Sequence, residues 1–257
     1  MSLSEPRPDL VSEISLGFLL PKPDGPAGKS EPRVIIGVDE VGRGCLAGPV
    51  VAAAAVLPPD AVEKLWFDER GVRKRGRVSS KHPYFALLEI KDSKMIPEPE
   101  RAPLRDEVLK FVRGSAIGSA SVEEIERLNI LYASHLAMER AVAELEAKLG
   151  VTADAILIDG HLVPRAFRGR GHALIKGDQK SFTIACASII AKVYRDELME
   201  ELDARYPGYG MKSHKGYPTP FHKVQIKTLG VTDIHRKTFR GVAIDDDEPA
   251  QTGWFDE

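Results

Sequence analysis

A chain of 257 residues, 43% apolar and of formal net charge −2, has room for one substantial domain or two small ones, and no apolar run in it reaches membrane-spanning length. Its two cysteines, Cys45 and Cys186, lie far apart in small-residue or apolar surroundings, which excludes a disulfide framework and a thiolate zinc site and implies a reducing, cytoplasmic setting. The charge balances unlike parts: residues 245–257 carry six acids and no base, residues 1–31 five acids and three bases, and the body between is net positive, with eight Lys or Arg against Asp233 alone over 204–240, as suits a phosphate-backbone footprint.

Residues 1–31 are rich in Pro, Ser and Gly, have no sustained period, and read as a disordered or loosely docked leader. Glu13 interrupts the approach to Leu16-Gly17-Phe18-Leu19-Leu20 and no basic segment precedes it, so the leader is not read as an export signal. An apolar strand over 33–39 then runs into Asp39-Glu40 and the turn Gly42-Arg43-Gly44. Successive strand residues face opposite ways, so the two carboxylates are expected to serve one site only if the chain leaves the strand there. Gly42 and Gly44 ease that departure and clear a path to backbone amides, and the Arg43 guanidinium is a planar fork suited to phosphate.

The Ala/Val run at 48–57 predicts a buried strand, and 113–120 predicts another. Between them, 68–82 contains Arg73-Lys74-Arg75-Gly76-Arg77 and reads as an exposed basic loop. Ser121-Val122-Glu123-Glu124 has the form of a capping box, and the apolar spacing from Leu128 through Leu131, Leu136, Met138, Val142, Leu145 and Leu149 predicts a long amphipathic helix ending at Gly150. Residues 154–159 predict a buried strand that again ends on an acid before glycine, Asp159-Gly160. A short strand over 172–176 leaves through Gly177-Asp178 into a small-residue apolar helix from Ser181 to about Tyr206, stopped by Pro207. Strands followed by helices, with acids at strand exits, imply an α/β sheet whose active edge lies at the strand C-termini.

Three segments thus offer four acids to one site: Asp39, Glu40, Asp159 and Asp178. Such a cluster repels itself, and hard divalent cations such as Mg²⁺ or Mn²⁺ resolve the conflict. Two ions about 3.5–4 Å apart would suit in-line displacement at a phosphodiester. The competing reading makes Asp159 and Asp178 ordinary turn residues beside glycine.

Gly37-x-Asp39-Glu40-x-Gly42-Arg43-Gly44, Gly48-Pro49, Asp92-Ser93-Lys94, the run 126–131, Ile158-Asp159-Gly160, Lys176-Gly177-Asp178, the run 187–192, Arg195-Asp196, His214-Lys215-Gly216-Tyr217 and the run 235–239 follow one another in an order that closely resembles bacterial ribonuclease HII, the type 2 ribonuclease H. The resemblance covers about 33–240 and implies a ribonuclease H-like α/β fold, a mixed five-stranded sheet flanked by helices with a C-terminal helical extension. The chain then divides into a leader at 1–31, a catalytic domain at 32–206 with a basic insertion at about 65–89, an extension at 207–244 that contacts substrate, and an acidic disordered tail at 245–257. No N-terminal domain of the ribonuclease HIII kind is expected within 1–31, and Val41 stands where the family more often has alanine.

The activity so implied is hydrolysis of the RNA strand of RNA–DNA hybrids and cleavage 5′ of ribonucleotides embedded in duplex DNA. Two-metal-ion catalysis would leave 3′-hydroxyl and 5′-phosphate ends, in the removal of ribonucleotides and RNA primers. The family's metal site falls on Asp39, Glu40, Asp159 and Asp178, with Mn²⁺ or Mg²⁺. Its ribonucleotide grip falls on Gly42, Arg43 and Gly44, and the tyrosine that supports the following deoxyribose on Tyr217. Lys94 and Lys192 resemble lysines near the substrate phosphates. The residues agree with this independently: amides and an arginine can sense a 2′-hydroxyl and its phosphates, and an aromatic ring can stack on a sugar lacking that hydroxyl.

A resolvase or integrase of the same fold would share the acids without needing Gly-Arg-Gly or the tyrosine, and a non-catalytic hybrid-binding module would gain nothing from acids facing phosphate. A dinucleotide site is excluded, because Gly42-Arg43-Gly44 lacks the full glycine fingerprint and follows the acids. His214, His222 and His235 sit among Lys, Gly and Pro in a pattern better suited to phosphate contact or turn packing than to zinc. The tail's Gln251-Thr252-Gly253-Trp254-Phe255 loosely resembles peptides that hold a sliding clamp, an expected partner beside the hybrid and ribonucleotide-containing duplex; the alternative is a tail folded back on the domain. The enzyme is expected to act as a monomer away from membranes.

Overall fold

A computed structural model describes residues 7–18, 33–65, 67–74 and 79–242. Its sheet has the order β3-β2-β1-β4-β5, with β1 at Ile35–Val41, β2 at Val50–Val56, β3 at Gly114–Ala120, β4 at Ala155–Asp159 and β5 at Gly171–Leu174. The first three strands are antiparallel neighbours, and β4 and β5 run parallel to β1, so the sheet is mixed, as the resemblance implied. Every residue of β2 is buried, which is why its sequence is a continuous run of Ala and Val and not an alternation.

Nine helices cover the described residues: α1 at Val11–Ser15, α2 at Ala61–Lys64, α3 at Phe85–Leu88, α4 at Glu98–Phe111, α5 at Val122–Leu128, α6 at Ile130–Leu149, α7 at Phe182–Arg205, α8 at Met211–His214 and α9 at Pro220–Leu229. The alternation of β1 divides the core. Ile36 and Val38 join the layer under α6, and Ile35 joins the layer under α7. Gly37 faces α7, and a β-carbon there would stand 2.5 Å from the Thr183 carbonyl carbon, so this glycine is what lets the helix close on the strand.

Two expectations need correction and a third needs refinement. The long helix is interrupted at Asn129, which adopts φ +67 and caps α6 by accepting from the Leu131 and Tyr132 amides, while the capping box at Ser121 starts a separate α5. The leader is not disordered over 7–18: Leu10 and Phe18 are buried, and Asp9 pairs with Ser181. Most described residues of 68–82 are exposed, as expected, but the segment is tied down at Arg73, which is half-buried, bridges to Phe67 and donates to the Leu88 carbonyl. Arg75, Gly76 and Arg77 lie outside the described residues, as does the tail from 243 onward. Among the described residues no helix is long and apolar enough to cross a membrane.

Candidate active site

Parallel register brings the first two acids together. The last paired residues of β1 and β4 are Val38 and Ile158, so Asp39 and Asp159 follow at the same level and, by strand parity, on the same face, toward α7. Asp178 lies in the single 3₁₀ turn Gly177–Gln179 just before α7, and the Gly177 amide donates to Asp159 Oδ1 at 2.6 Å, tying that turn to β4.

Glu40 arrives differently from the sequence expectation. The chain does not leave the strand at the acids: the ladder with β2 continues through Glu40↔Ala52 and Val41↔Val51, and the turn begins only at Gly42, with φ +96. Both acids still reach one cavity, because β4 has stopped pairing with β1 and leaves its flank open there. Asp39, Glu40, Asp159 and Asp178 line a single cavity of 530 Å³ together with Lys94, Lys192 and Tyr217. A neighbouring groove of 1060 Å³ is lined by Arg43, Gly44, His161, Lys223, Lys227 and Arg240.

The cavity holds more negative charge than its surroundings compensate. Burial first, then repulsion from Glu40, Asp159 and Asp178, pushes Asp39 well above the usual carboxylate range. Burial raises Glu40 to about 7, against the pull of Arg43, whose guanidinium lies 3.3 Å from Glu40 Oε1. Asp178 rises to about 6 through burial and the nearby Asp92 and Asp159, with Lys94 opposing. Glu40 Oε2 is buried with no hydrogen-bond partner. All-oxygen donors, excess negative charge and an orphaned carboxylate oxygen fit hard divalent cations. Among the described residues, as their side chains stand, no group of three or more His, Cys, Asp or Glu is gathered closely enough to hold a metal ion, so binding one would draw these carboxylates together. One oxygen of Asp39 accepts from the Glu40 amide at 2.7 Å and one of Asp159 from the Gly177 amide, which fixes these carboxylates on the backbone, and the Ser188 hydroxyl also bonds to Asp39.

A pH dependence follows with a definite sign. Carboxylates raised in the folded state bind protons more tightly there than in the unfolded chain, so their contribution is intact near pH 4 and is lost as pH rises through 6–7. The metal-free melting temperature is therefore expected to fall between pH 6 and 8, and added Mg²⁺ or Mn²⁺ to raise it more at pH 8 than at pH 6. Equal metal effects at the two pH values in a melting series would remove the cluster as the cause.

Arg195 and Arg236 stand in two of the motifs that carry the resemblance, Arg195-Asp196 and the run 235–239, but sequence reasoning gave them no role. Both are fully buried. Arg195 donates to the carbonyls of Pro49 at 3.2 Å, Ala47 at 3.1 Å and Lys215 at 2.8 Å, and Arg236 to those of Gly48 at 2.9 Å and Arg43 at 3.0 Å. Together they stitch the Gly-Arg-Gly turn to the turn that carries Tyr217. A β-carbon on Gly42 would overlap the Arg195 guanidinium, so the glycine is required by contact as well as by φ. Their signal in the sequence was membership of those motifs, with nothing nearby to show the carbonyls they satisfy.

Lys192 is buried and paired with Asp196 at 2.7 Å, one helical turn on, whereas Lys94 is exposed near Asp39 and Asp178. Tyr217 is 37% exposed at the cavity mouth. The histidines pack the turn behind it: His214 and His222 stack at 4.3 Å, His222 Nδ1 meets the Tyr217 carbonyl at 3.0 Å, and His235 lies 3.4 Å from His222.

Comparison with known proteins joins this geometry to a family. The sequence profile of the ribonuclease HII family matches residues 36–72 and 78–242, passing over only 73–77 within the segment read as an insertion. The ribonuclease HII of Ruegeria pomeroyi is 45% identical over 208 residues, covering 81% of this chain and 76% of that protein. Among solved structures, ribonuclease H2 from Pyrococcus horikoshii OT3 superposes with a TM-score of 0.61 at 24% identity, over 81% of this chain and 95% of its own. The PCNA:RNase HII complex from Archaeoglobus fulgidus gives 0.58 at 23% identity, over 80% and 95%. These two share the fold.

Proposed function

The chain belongs to the ribonuclease HII family of endoribonucleases acting on RNA–DNA hybrids, and on that premise we propose that it cuts 5′ of a ribonucleotide, including one embedded in duplex DNA, with Asp39, Glu40, Asp159 and Asp178 as ligands of two Mg²⁺ or Mn²⁺ ions. The observation that carries this reading is the convergence of the four acids, one with an orphaned buried oxygen, on a cavity whose mouth holds Tyr217. Bound ions would supply activation of water and stabilisation of the leaving oxygen, giving 3′-hydroxyl and 5′-phosphate products.

The protein's own part is positioning. Asp39 and Asp159 sit on rigid strand ends, so their carboxylates are held without loop motion. The Gly42–Gly44 amides and Arg43 grip the ribose and its phosphate, and Lys94 reaches a phosphate across the cavity. Lys192, committed to Asp196, serves as a buttress and not as a free phosphate contact. Lys223, Lys227 and Arg240 line the groove beside Arg43 and take the duplex arm through its backbone, independent of base sequence. This suits an enzyme of ribonucleotide and RNA-primer removal. The Archaeoglobus fulgidus relative was solved with PCNA, and Gln251–Phe255 is the candidate clamp peptide here, tested by fluorescence titration of residues 244–257 against the cognate clamp.

The deciding assay is cleavage of a duplex carrying one ribonucleotide, with and without Mg²⁺ and Mn²⁺; no cut at that ribonucleotide under any metal condition would refute the proposal. Tyr217→Ala is expected to lose roughly 1–3 kcal/mol of binding at the junction, as for aromatic platforms that stack on a sugar or base. Wild-type rates on junction substrates would remove Tyr217 from the site.

A further inference from the structure

Glu13 is fully buried, and its Oε1 collects three donors from the start of α7: Ser181 Oγ at 2.7 Å, the Thr183 amide at 2.9 Å and Thr183 Oγ1 at 2.7 Å. The first amides of a helix have no partner within it, so an acceptor here fixes where a 24-residue helix begins. Ser181 in turn accepts from the Ile184 amide at 3.1 Å and donates its own amide to the Gly177 carbonyl at 2.7 Å. Asp9 closes the other side, donating to the Lys180 carbonyl at 3.2 Å and accepting from the Phe182 amide at 2.8 Å. Asp178 lies inside the segment so clasped. Thr183, held by Glu13, is also the residue packed against Gly37, two positions before Asp39.

The leader is anchored independently of this contact. Leu10 is buried and donates its amide to the Gly71 carbonyl at 3.0 Å, Phe18 is buried, and Arg7 makes two bonds of 2.7 Å to the Glu89 carboxylate. These residues precede the span matched by the family profile, which begins at 36.

We propose that residues 7–18 form a strap and that Glu13 is a positioning residue for Asp178, holding 177–183 so that Asp178 meets Asp39 and Asp159 at the spacing a divalent ion needs. The inference rests on the reading of the four acids as ion ligands. Glu13 does not touch the face that takes the duplex, so its loss acts on ion affinity and turnover and spares substrate binding.

The test compares the full-length wild type with Glu13→Ala, Glu13→Gln and Arg7→Ala, reading kcat and KM on the single-ribonucleotide duplex, Mn²⁺ affinity by calorimetry without substrate, and folding by near-ultraviolet dichroism. Glu13→Ala is expected to weaken Mn²⁺ binding and lower kcat at fixed metal by about tenfold or more, with KM within about twofold of wild type. Glu13→Gln, which keeps an acceptor in place, recovers most of both, and Arg7→Ala, which removes the exposed ion pair and a 3.3 Å bond to the Leu88 carbonyl but leaves Leu10, Glu13 and Phe18 in place, matches wild type. Should Glu13→Ala fail to fold, Ser181→Ala must show the same loss of Mn²⁺ affinity. A folded Glu13→Ala, or in its stead a folded Ser181→Ala, with wild-type Mn²⁺ affinity overturns the strap, as does an equal loss in Arg7→Ala. A wild type that binds Mn²⁺ yet cuts no ribonucleotide refutes the proposed function, while the Mn²⁺ titrations still decide the strap.

Discussion

Asp39→Asn and Asp159→Asn are each expected to lower kcat at saturating Mg²⁺ by at least roughly a thousandfold, the rate equivalent of several kcal/mol of lost charge stabilisation, while the duplex binds as well as before or better. The two acids occupy adjacent parallel strand ends at matched register, and each has one oxygen committed to a backbone amide. An amide side chain of nearly the same shape preserves that bond at the remaining oxygen and removes the charge, so the loss reports ion binding and not misfolding. Replacing Asp39 removes a carboxylate whose charge is opposed by burial first and then by repulsion from Glu40, Asp159 and Asp178. Asp39→Asn should therefore gain about 1 kcal/mol or more of metal-free stability at pH 8, the trade between activity and stability common at functional sites. Single-turnover cleavage, a binding titration and a metal-free melt measure the three effects; an inactive variant that also melts earlier would point to a structural role for Asp39.

Arg195→Lys should destabilise the protein by about 2–4 kcal/mol, because lysine keeps the charge but cannot present a planar fork to the three carbonyls that Arg195 satisfies. In a domain of this size that loss lowers the melting temperature by roughly 5–15 °C. The variant should also cut junction substrates less selectively, since Arg195 joins the 42–49 segment to the turn carrying Tyr217. Differential scanning calorimetry and a comparison of single-ribonucleotide with all-RNA substrates check both. Wild-type melting and wild-type selectivity would mean that water replaces the fork.

Local pattern carried much of this protein. The apolar run into Asp39-Glu40, the buried Ala/Val strand, the capping box at Ser121 and the strand ending at Asp159-Gly160 are short-range signals, set by backbone sterics, side-chain period and helix-end hydrogen bonding, and each forms an element at its place in the sequence, the first running on to Val41 past its expected end. The four acids were candidates for the same reason: Asp159 and Asp178 stand beside a glycine at a strand end or turn, and Asp39-Glu40 come just before the Gly42 turn.

Tertiary contact decided the rest. Whether Asp39 and Asp159 share a face depends on the parallel register of two strands over a hundred residues apart, and the route by which Glu40 joins them depends on where β4 stops pairing. The leader looked disordered because Leu10, Glu13 and Phe18 have no periodicity of their own; their partners are Gly71 and the start of α7, up to 170 positions away. Arg195 and Arg236 stood in recognisable motifs but without a role, because nothing near them in sequence shows the carbonyls they satisfy. A backbone hydrogen bond or a helix cap is closed within a few residues and leaves its mark on composition, whereas a buried cation or carboxylate is tolerated only by partners that folding brings from elsewhere, so its role is written in the contacts and not in the local sequence.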